Sequence, residues 1–513
     1  MPRYAAVDIG SNSVRMMVAE VAGGRTTILA QDRQVTRLGS GVFQDGRIAP
    51  EATRFVCDQL ERMAETFKTY ELAGVRAVAT SAVRDASNQQ EFLQRAQAAL
   101  GAPIEIISGQ EEARLVHLGV ESRQPEKTLR TLIIDVGGGS TEYIVNDRGN
   151  FASPFSRPLG AVRLTTAFLK HDPPSTLELR QMNDYILEKL VIPARKIQPP
   201  LDRTIATSAT AAAIVCAVNG IPRSRREEAD QMTATQARIR ELYEQLIALD
   251  VAGRRNLVGI GPRRAELIIA GTAVFLRSLE VFHQDALFYS VAGVRDGVIA
   301  DLAARGVGRE LSQLNQEQRA VVEEMAARYG VQPQHARKVA CLAHQLFEAM
   351  QPLHGLPQVY GKLLEAAGYL HDLGHFVSNT GHHKHSQYLV WNSDMPGFTD
   401  AERHVIAALC RYHRKTAPSA RHPFFSTIVP EQQRAVILLT PLLRLADSLD
   451  RGHGQSVESV AVRLGENQAL IELHEARNTE LELWAAEKAA DLFRATYNIP
   501  LVFSRSAILP ANK

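Results

Sequence analysis

The chain has 513 residues, of which 45% are hydrophobic and 22% are charged. That length predicts three or four domains with sizeable hydrophobic cores. The 58 Lys and Arg residues nearly balance the 56 Asp and Glu residues, for a net charge of +2, which argues against a general nucleic-acid-binding protein. Four widely spaced cysteines without a CxxC pair exclude a disulfide scaffold and a cysteine zinc cluster.

The sequence has no feature typical of a secreted or membrane protein. The N-terminus lacks an apolar signal core. The longest apolar stretch, from Leu267 to Leu276, is too short to span a bilayer. The cysteines are interpreted as reduced, buried thiols. We therefore expect a soluble, cytoplasmic protein with neither a membrane nor a nucleic-acid partner.

The first 300 residues alternate strand-like runs with helical patterns, which predicts α/β layers. Helical patterns include residues 51–70 and 89–100. The strand-like runs, each followed by Asp, Ser or Thr, are residues 5–7, 75–79, 104–107, 132–134 and 204–206.

An internal similarity predicts that this region is duplicated. The segment from Asp8 to Val14, DIGSNSV, resembles the segment from Asp135 to Thr141, DVGGGST. Each follows a predicted strand and leads into another. Two such hairpins predict two halves that face each other across a cleft.

Beyond about residue 305 helical periodicity dominates, and 13 of the 16 histidines lie at or beyond residue 335. Alternating apolar residues at 460–464 and 469–473 predict a terminal hairpin before a helix at 479–497. The expected fold class is α/β followed by mostly α with a small α+β appendage. The predicted domains are 1–125, 126–305, 306–455 and 456–513.

Two glycine-rich loops are candidate phosphate-binding sites. Glycines after a strand let backbone N–H groups converge on an anion, although a tight hairpin turn has the same sequence pattern. Thr207 and Ser208 lie in a third candidate loop, before a predicted helix. The candidates in the first two loops are Ser11, Asn12, Ser13, Gly137, Gly138, Gly139 and Ser140.

Carboxylates accompany both glycine-rich loops. A carboxylate beside a bound phosphate repels it unless a cation lies between them. Asp8, Asp135 and Glu142 are therefore candidate ligands of Mg²⁺ or Mn²⁺. The alternative for both aspartates is a turn residue at a strand end.

Two other segments leave alternatives open. Arg84 follows a predicted strand, where its guanidinium suits either phosphate oxygens or a surface ion pair. Glu111 and Glu112 lie in the first turn of a predicted helix, where acidic residues commonly only complement the helix dipole.

The region from Tyr4 to Leu302 resembles the exopolyphosphatase/guanosine pentaphosphate phosphohydrolase (Ppx/GppA) family of the actin-like ATPase superfamily. The resemblance implies two actin-like, ribonuclease-H-like domains. It also implies that Glu112 deprotonates the attacking water, that Glu142 binds metal, and that Arg84 and both loops bind phosphate. The matching stretches are VDIGSNSVRMMV, VATSAVRDASN, IISGQEEARL, IIDVGGGSTEYIV, RPLGAVRLT, ATSATAAAI, ELIIAGTAVF and VAGVRDGVIADL.

Two departures from the family pattern are visible. The segment between Glu112 and Asp135 is one residue longer than in familiar members, at 128–130, which we expect to be harmless. Ala209 replaces an expected glycine, which leaves the roles of Thr207 and Ser208 open.

The histidine-rich region resembles the HD phosphohydrolase domain, in which ligands from several helices hold a divalent metal. Many Ppx/GppA proteins have lost these ligands. Arg414 replaces a second consecutive histidine found in some binuclear members. The region is interpreted as a structural lid, a metal site without turnover, or a second phosphohydrolase site. The matching residues are His335, His371, Asp372, His385, His413 and Asp447.

Together these features predict an exopolyphosphatase that removes the terminal phosphate of linear polyphosphate. The alternatives are a guanosine pentaphosphate 5′-phosphohydrolase, a bifunctional enzyme with a second site in the HD-like domain, an actin-like acetate or sugar kinase, and a non-catalytic polyphosphate or alarmone sensor. The Glu-Glu-Ala-Arg motif argues against the kinase, and Glu112 together with both loops argues against the sensor. The resemblance also implies a homodimer.

Overall fold

The structure is a computed structural model that describes residues 1–123, 128–305, 312–465, 467–475 and 478–507. The chain divides into two units, Met1–Arg305 and Gly306–Lys513. The predicted boundary between residues 125 and 126 lies outside the described residues. Across the described ranges, no helix is both long and apolar enough to cross a bilayer.

The first unit begins with a five-stranded sheet and its helices. The strands lie in the spatial order third, second, first, fourth, fifth, and the first pairs antiparallel with the second and parallel with the fourth. In chain order they are β1 (Arg3–Ile9), β2 (Ser13–Ala22), β3 (Arg25–Val35), β4 (Leu72–Ala79) and β5 (Ile104–Ile106). The helices are α1 (Leu38–Asp45), α2 (Pro50–Lys68), α3 (Ser81–Asp85), α4 (Gln89–Leu100) and α5 (Gly109–Glu121).

A second sheet repeats this topology, which confirms the duplication. Its strands β6 (Arg130–Val136), β7 (Thr141–Asp147), β8 (Asn150–Arg157), β9 (Arg203–Thr207), β10 (Thr233–Thr235) and β11 (Ala286–Tyr289) are ordered β10-β11-β9-β6-β7-β8. β8-β7-β6-β9-β11 thus matches β3-β2-β1-β4-β5, the ribonuclease-H-like order of actin-like domains. The helices are α6 (Ala161–Phe168), α7 (Thr176–Lys196), α8 (Ala209–Val218), α9 (Gln236–Ala248), α10 (Val251–Arg255), α11 (Ile268–Val281) and α12 (Val294–Arg305).

Helix α5 lies between the two sheets and packs on both. Leu115 on one face belongs to a core with Met17 of β2 and Val298 of α12. Val116 on the other face packs with Ile133 of β6. The position of α5 therefore depends on the apolar cores of both halves.

Glycines allow α12 to approach α5 closely. A Cβ on Gly297 would lie 1.8 Å from the backbone oxygen of Leu115, and a Cβ on Gly119 would lie 2.3 Å from the oxygen of Gly293. Backbone atoms cannot yield as a flexible side chain does. The close contact of these two helices therefore depends on residues without side chains.

We expect Gly297→Ala to lower the free energy of unfolding by about 1–3 kcal/mol, the usual cost of overpacking. Denaturant titration of the whole chain measures this change. Gly41→Ala is the matched control, because Gly41 is helical and its Cβ would meet only one atom, at an ordinary 3.7 Å. Equal stability of the two variants would contradict this account of the helix contact.

A buried ion-pair network joins β4, α5 and α12. Asp301 accepts hydrogen bonds from Arg76 Nη1 (2.8 Å) and Arg114 Nη2 (2.7 Å). Glu111 accepts from Arg114 Nε (2.8 Å) and Arg76 Nη2 (3.0 Å). Two residues of the Glu-Glu-Ala-Arg motif, Glu111 and Arg114, thus anchor the helix that carries Glu112.

The second unit combines helices with a three-stranded sheet. The helices are α13 (Gln316–Arg328), α14 (Pro333–Ala349), α15 (Gln351–His354), α16 (Val359–Leu370), α17 (His382–Asn392), α18 (Asp400–Tyr412), α19 (Pro423–Ser426), α20 (Pro430–Ser448) and α21 (Glu480–Tyr497). β13 (Ala469–Glu475) pairs antiparallel with β12 (Val457–Leu464) and parallel with β14 (Leu501–Ala507). Val457, Ile471 and Phe493 share one hydrophobic core with the helices.

The five strand-like runs named from the sequence and the two helical patterns all correspond to observed elements. The terminal hairpin and its helix are also confirmed, whereas β14 was not predicted. The interpretation of all four cysteines as buried is wrong for Cys341, which is exposed on α14; all four are free thiols.

Candidate functional site

Both glycine-rich loops form the same turn. Gly10 N–H donates to Ser13 O at 3.1 Å, and Gly137 N–H donates to Ser140 O at 3.0 Å. Both turns open onto a cavity of about 390 Å³, which residues of both halves line. The predicted site residues at this cavity are Asp8, Ser11, Asn12, Ser13, Glu112, Asp135, Gly137, Gly138, Gly139, Ser140, Thr207 and Ser208.

The two loops approach each other too closely for side chains at the glycines. A Cβ on Gly138 would lie 2.9 Å from Ser11 Cβ, and a Cβ on Gly139 would lie 2.8 Å from Ser11 Oγ and 2.4 Å from Ser81 Oγ of α3. Arg163 spans this junction, donating from Nε to Gly139 O (2.8 Å) and from Nη2 to Ser81 Oγ (3.2 Å). Arg163 lies in the stretch RPLGAVRLT, but this contact was not predicted from the sequence.

Four carboxyl groups lie in or beside the cavity, of which Glu112 and Glu142 are buried and Asp8 and Asp135 are partly buried. Burial raises the pKa of Asp135 to about 6 and that of Glu112 to about 7, with Asp8 adding to both effects and Arg15 or Arg84 opposing them. Burial and the nearby Glu112 raise the pKa of Glu142 well above its ordinary value. Burial also raises the pKa of Asp8. Such a group of acids favours either protonation or a bound cation.

The donor set fits a hard divalent cation. Ser156 donates to Glu142 Oε1 at 2.8 Å, whereas Glu142 Oε2 is buried and has no hydrogen-bond partner among the described residues. Asp135 and Glu142 are register partners on β6 and β7. Mg²⁺ prefers oxygen ligands, and all three candidate ligands here are carboxylates.

Arg84 lies beside Glu112 and is not among the residues that line the cavity. Its Nη1 donates to Ile107 O at 2.6 Å and lies 3.6 Å from Glu112 Oε2. The structure thus places this guanidinium where it orients the carboxylate. Its predicted contact with phosphate stays a prediction.

The hydroxyl groups of Thr207 and Ser208 in the third loop form hydrogen bonds with backbone groups of the protein. Thr207 Oγ1 donates to Ala292 O, and Ser208 Oγ accepts from the N–H groups of Thr210 and Ala211, which caps α8. The φ of Ser208 is +113°. The positive φ thus falls on Ser208, and not on Ala209 where a glycine was expected.

Six arginines line the cavity and were not identified from the sequence: Arg15, Arg33, Arg123, Arg226, Arg264 and Arg295. Arg15 and Arg33 are opposite each other on β2 and β3, an arrangement that is unfavourable for like charges. Burial and Arg15 lower the pKa of Arg33 to about 9 and those of Arg264 and Arg295 to about 10. Arg15, Arg33, Arg226, Arg264 and Arg295 thus form an arginine wall whose positive charge suits an anion. Arg15 and Arg33 face each other because β2 pairs with β3. Their proximity was missed because β3 was not predicted from the sequence.

A second cavity of about 500 Å³ shares part of this wall. Its lining combines small apolar residues of α8 with Arg223 and Arg263, which belong to this cavity alone. Arg33, Arg226 and Arg264 line both cavities. The two spaces thus adjoin, and each combines charged with apolar lining residues.

In the second unit, the structure brings most of the predicted metal ligands together. His335 Nε2 and His371 Nε2 each lie 3.5 Å from Asp447 Oδ1, and both face Asp372. His413 Nε2 lies 3.7 Å from the other oxygen of Asp372.

The prediction for His385 is corrected. His382, in the first turn of α17, places its Nε2 3.5 Å from Asp372 Oδ1 and 3.2 Å from His413 Nε2. His385 lies three residues further along the helix, and no contact with the cluster is found for it among the described residues. Which histidine of the HHKH segment turns inward depends on where the helix begins, and the sequence does not define that point.

Several known proteins are similar to this chain in sequence or in structure. Two guanosine-5′-triphosphate,3′-diphosphate pyrophosphatases, from Vibrio parahaemolyticus and Vibrio vulnificus, are each 27% identical over 96% of this chain and 96% of their own. The crystal structure of the Aquifex aeolicus Ppx/GppA family member is 28% identical, with a TM-score of 0.53 over 59% of this chain and 98% of that one. An exopolyphosphatase-like protein of known structure is 27% identical, with a TM-score of 0.57 over 59% of this chain and 98% of that one.

Fold and site define a hydrolase that acts on phosphoanhydride bonds. The family model of the Ppx/GppA phosphatases matches residues 17–305, and that of their domain III matches residues 318–489. The first match covers more than half of the chain, and the chain therefore belongs to the Ppx/GppA phosphatase family.

Proposed function

We propose that this chain is a guanosine pentaphosphate 5′-phosphohydrolase, which releases the terminal phosphate of the 5′-triphosphate and leaves guanosine tetraphosphate. The observation that carries the proposal is the second cavity beside the arginine-lined cleft. A bare phosphate chain has no apolar part, whereas a nucleoside has one. The printed names of the Vibrio relatives support the same substrate.

In this proposal each cavity binds a different part of the substrate. The 5′-triphosphate lies in the first, against the glycine-rich loops and the shared arginines. The nucleoside lies against the small side chains of α8, which offer an apolar surface, and Arg223 and Arg263 hold the 3′-diphosphate. Guanidinium groups also stack on purine rings.

In the reaction, Glu112 accepts a proton from a water molecule whose oxygen attacks the terminal phosphorus in line with the leaving group. A P–O bond to water forms as the bond to the bridging oxygen breaks. Arg84 keeps the carboxylate of Glu112 oriented. Loop N–H groups and arginines stabilise the negative charge of the transferring group.

A divalent cation, Mg²⁺ or Mn²⁺, bound by Asp8, Asp135 and Glu142 would supply the charge neutralisation that these buried carboxylates and a phosphate need together. Glu142 Oε2 is suited to this role because it is buried without a hydrogen-bond partner within the described ranges. The cytoplasmic location and the homodimer stay predictions.

Terminal hydrolysis of linear polyphosphate is the second candidate. The six arginines that line the first cavity favour it, because they would bind any chain of phosphates. A second phosphohydrolase activity in the HD-like region stays a prediction.

The substrate test compares phosphate release from guanosine pentaphosphate and from long-chain polyphosphate. We expect a higher kcat/KM for the nucleotide. In the double variant Arg223→Ala, Arg263→Ala, we expect KM for the nucleotide to rise about tenfold or more, the effect of a lost charged hydrogen bond, with no change for polyphosphate. Arg54→Ala, on the exposed side of α2, is the control.

Preferential hydrolysis of polyphosphate, or an equal effect of the double variant on both substrates, would contradict the nucleotide proposal. Binding of both substrates without phosphate release would instead identify a sensor.

A further inference from the structure

The hydroxyl of Tyr289 faces the cleft and has no part in the proposed reaction. Tyr289 ends β11 and lines the first cavity, although the residue as a whole is only 6% exposed. Its ring belongs to the hydrophobic core of the second sheet. No hydrogen bond joins the hydroxyl to another described residue, yet this oxygen is not sealed from solvent as an orphaned buried atom would be. The hydroxyl is therefore available to a ligand at the cavity surface.

The backbone of Tyr289 is fixed on both sides. β11 lies between β9 and β10, and Tyr289 is the register partner of Ala206 on β9. On the other side, the N–H of Tyr289 donates to Met232 O, and its carbonyl accepts from the N–H of Gln231, both at 2.9 Å. A hydroxyl on so rigid a support loses little conformational freedom when it binds a ligand.

The hydroxyl of Tyr289 lies where the two cavities meet. Tyr289 lines the first cavity and shares its hydrophobic core with Cys216, which lines the second. Burial raises the pKa of Tyr289 to about 12, with Arg226 and Arg15 opposing the rise and Asp230 and Cys216 adding to it. Arg226 lines both cavities. The phenol thus keeps its proton at neutral pH and can both donate and accept a hydrogen bond.

The junction of the cavities is the place of the sugar in the proposed nucleotide. In guanosine pentaphosphate the ribose joins the 5′-triphosphate to the base and also carries the 3′-diphosphate. Its 2′-hydroxyl is the one sugar hydroxyl that is not esterified. A neutral phenol that both donates and accepts complements a neutral hydroxyl, whereas guanidinium groups suit the phosphates.

We infer that the hydroxyl of Tyr289 forms a hydrogen bond with the 2′-hydroxyl of the bound ribose and makes the site selective for ribonucleotides. This inference rests on the proposed nucleotide substrate. A nucleotide without the 2′-hydroxyl would leave the phenol unpaired in the occupied cleft, and an unpaired buried polar group is costly. Polyphosphate has no sugar and makes no use of Tyr289.

The test compares the full chain with Tyr289→Phe, which removes the hydroxyl and keeps the ring in its core. Phosphate release is measured from guanosine pentaphosphate, from its 2′-deoxy analogue and from long-chain polyphosphate. For the wild type, we expect kcat/KM to be about three- to tenfold lower for the deoxy analogue, the effect of one lost hydrogen bond. Tyr289→Phe lowers kcat/KM for guanosine pentaphosphate by the same factor and leaves the values for the other two substrates unchanged.

Tyr243→Phe is the matched control. Tyr243 is buried in the same core, but its hydroxyl accepts from Asn183 Nδ2 at 3.4 Å and the residue lines neither cavity. We expect this variant to keep the wild-type ratio of kcat/KM between the two nucleotides. Melting temperatures of the wild type and both variants show whether each is folded.

Equal losses in Tyr289→Phe for guanosine pentaphosphate and its deoxy analogue would overturn the inference, because the hydroxyl would then act on a phosphate or on the fold. Equal kcat/KM of the wild type for the two nucleotides would overturn it without any variant.

Affinity for guanosine tetraphosphate, measured by calorimetry, needs no turnover and separates this inference from the proposed function. We expect Tyr289→Phe to bind guanosine tetraphosphate about three- to tenfold more weakly than the wild type. Preferential hydrolysis of polyphosphate would refute the proposed function, whereas unchanged affinity in Tyr289→Phe, or no binding by the wild type, would refute the role of Tyr289.

Discussion

Glu112→Gln is expected to reduce kcat for phosphate release by about 100- to 10,000-fold, the usual contribution of a general base. The amide keeps the size of the carboxylate but cannot accept the proton of the attacking water. Because burial raises the pKa of Glu112 to about 7, we also expect kcat/KM of the wild type to fall as the pH decreases below 7. The variant loses the part of this pH dependence that Glu112 causes. Steady-state phosphate release between pH 5 and 9 measures both effects.

Glu61→Gln is the matched control, since Glu61 is an exposed carboxylate on α2. Substrate binding by the Glu112 variant, followed by calorimetry, and its circular dichroism show whether the cleft and the fold are intact. Near-wild-type turnover in Glu112→Gln would refute its role as the base. If Asp372→Ala abolished the same activity in a folded protein, the reaction would have to be assigned to the histidine cluster.

Asp301→Asn is expected to lower the free energy of unfolding of the first unit by about 3–5 kcal/mol, because it leaves buried guanidiniums without compensation. Burial alone raises the pKa of Asp301, but Arg114, Arg305 and Arg76 outweigh it and hold this pKa well below the ordinary value. A carboxyl group of this kind stabilises the fold above its unfolded pKa of about 4, and the contribution is lost as the pH falls toward the folded pKa.

Denaturant unfolding at pH 7 and at pH 3 measures this contribution. The difference between the wild type and Asp301→Asn decreases at the lower pH. Asp58→Asn, an exposed carboxylate on α2, is the control and changes stability by less than about 0.5 kcal/mol. A loss below about 1 kcal/mol at pH 7 in Asp301→Asn would show that the network does not hold α5 in place.

Much of the first unit could be predicted because its signals are local. The strand β1 and the helix α4 follow from apolar periodicity, and the repeated Asp-x-Gly hairpins revealed the duplication. The edge strands β3 and β8 were missed because their residues are only partly buried, so they carry little apolar pattern.

The arginine wall could not be predicted because its members are brought together only by the folded structure. Arg15 and Arg33 meet through strand pairing, and Arg264 and Arg295 come from distant segments, so no spacing in the chain connects them. In the second unit, His335, His371 and Asp447 follow from the resemblance to a known signature. The choice of His382 over His385 depends on the first turn of α17, a boundary that periodicity defines poorly.

The double packing of α5 bears on how this enzyme can be divided. A chain cut near residue 125 leaves Glu112 on a fragment whose helix exposes Val116 and the rest of its second apolar face. The complementary fragment carries α12, which packs against the first sheet in the whole chain. Each fragment thus exposes an apolar surface that packs against the other fragment in the whole chain. We expect each fragment to self-associate when alone. We expect activity only after the two fragments reassociate. The role of Glu112 as the base therefore requires both halves and is supplied by neither half alone.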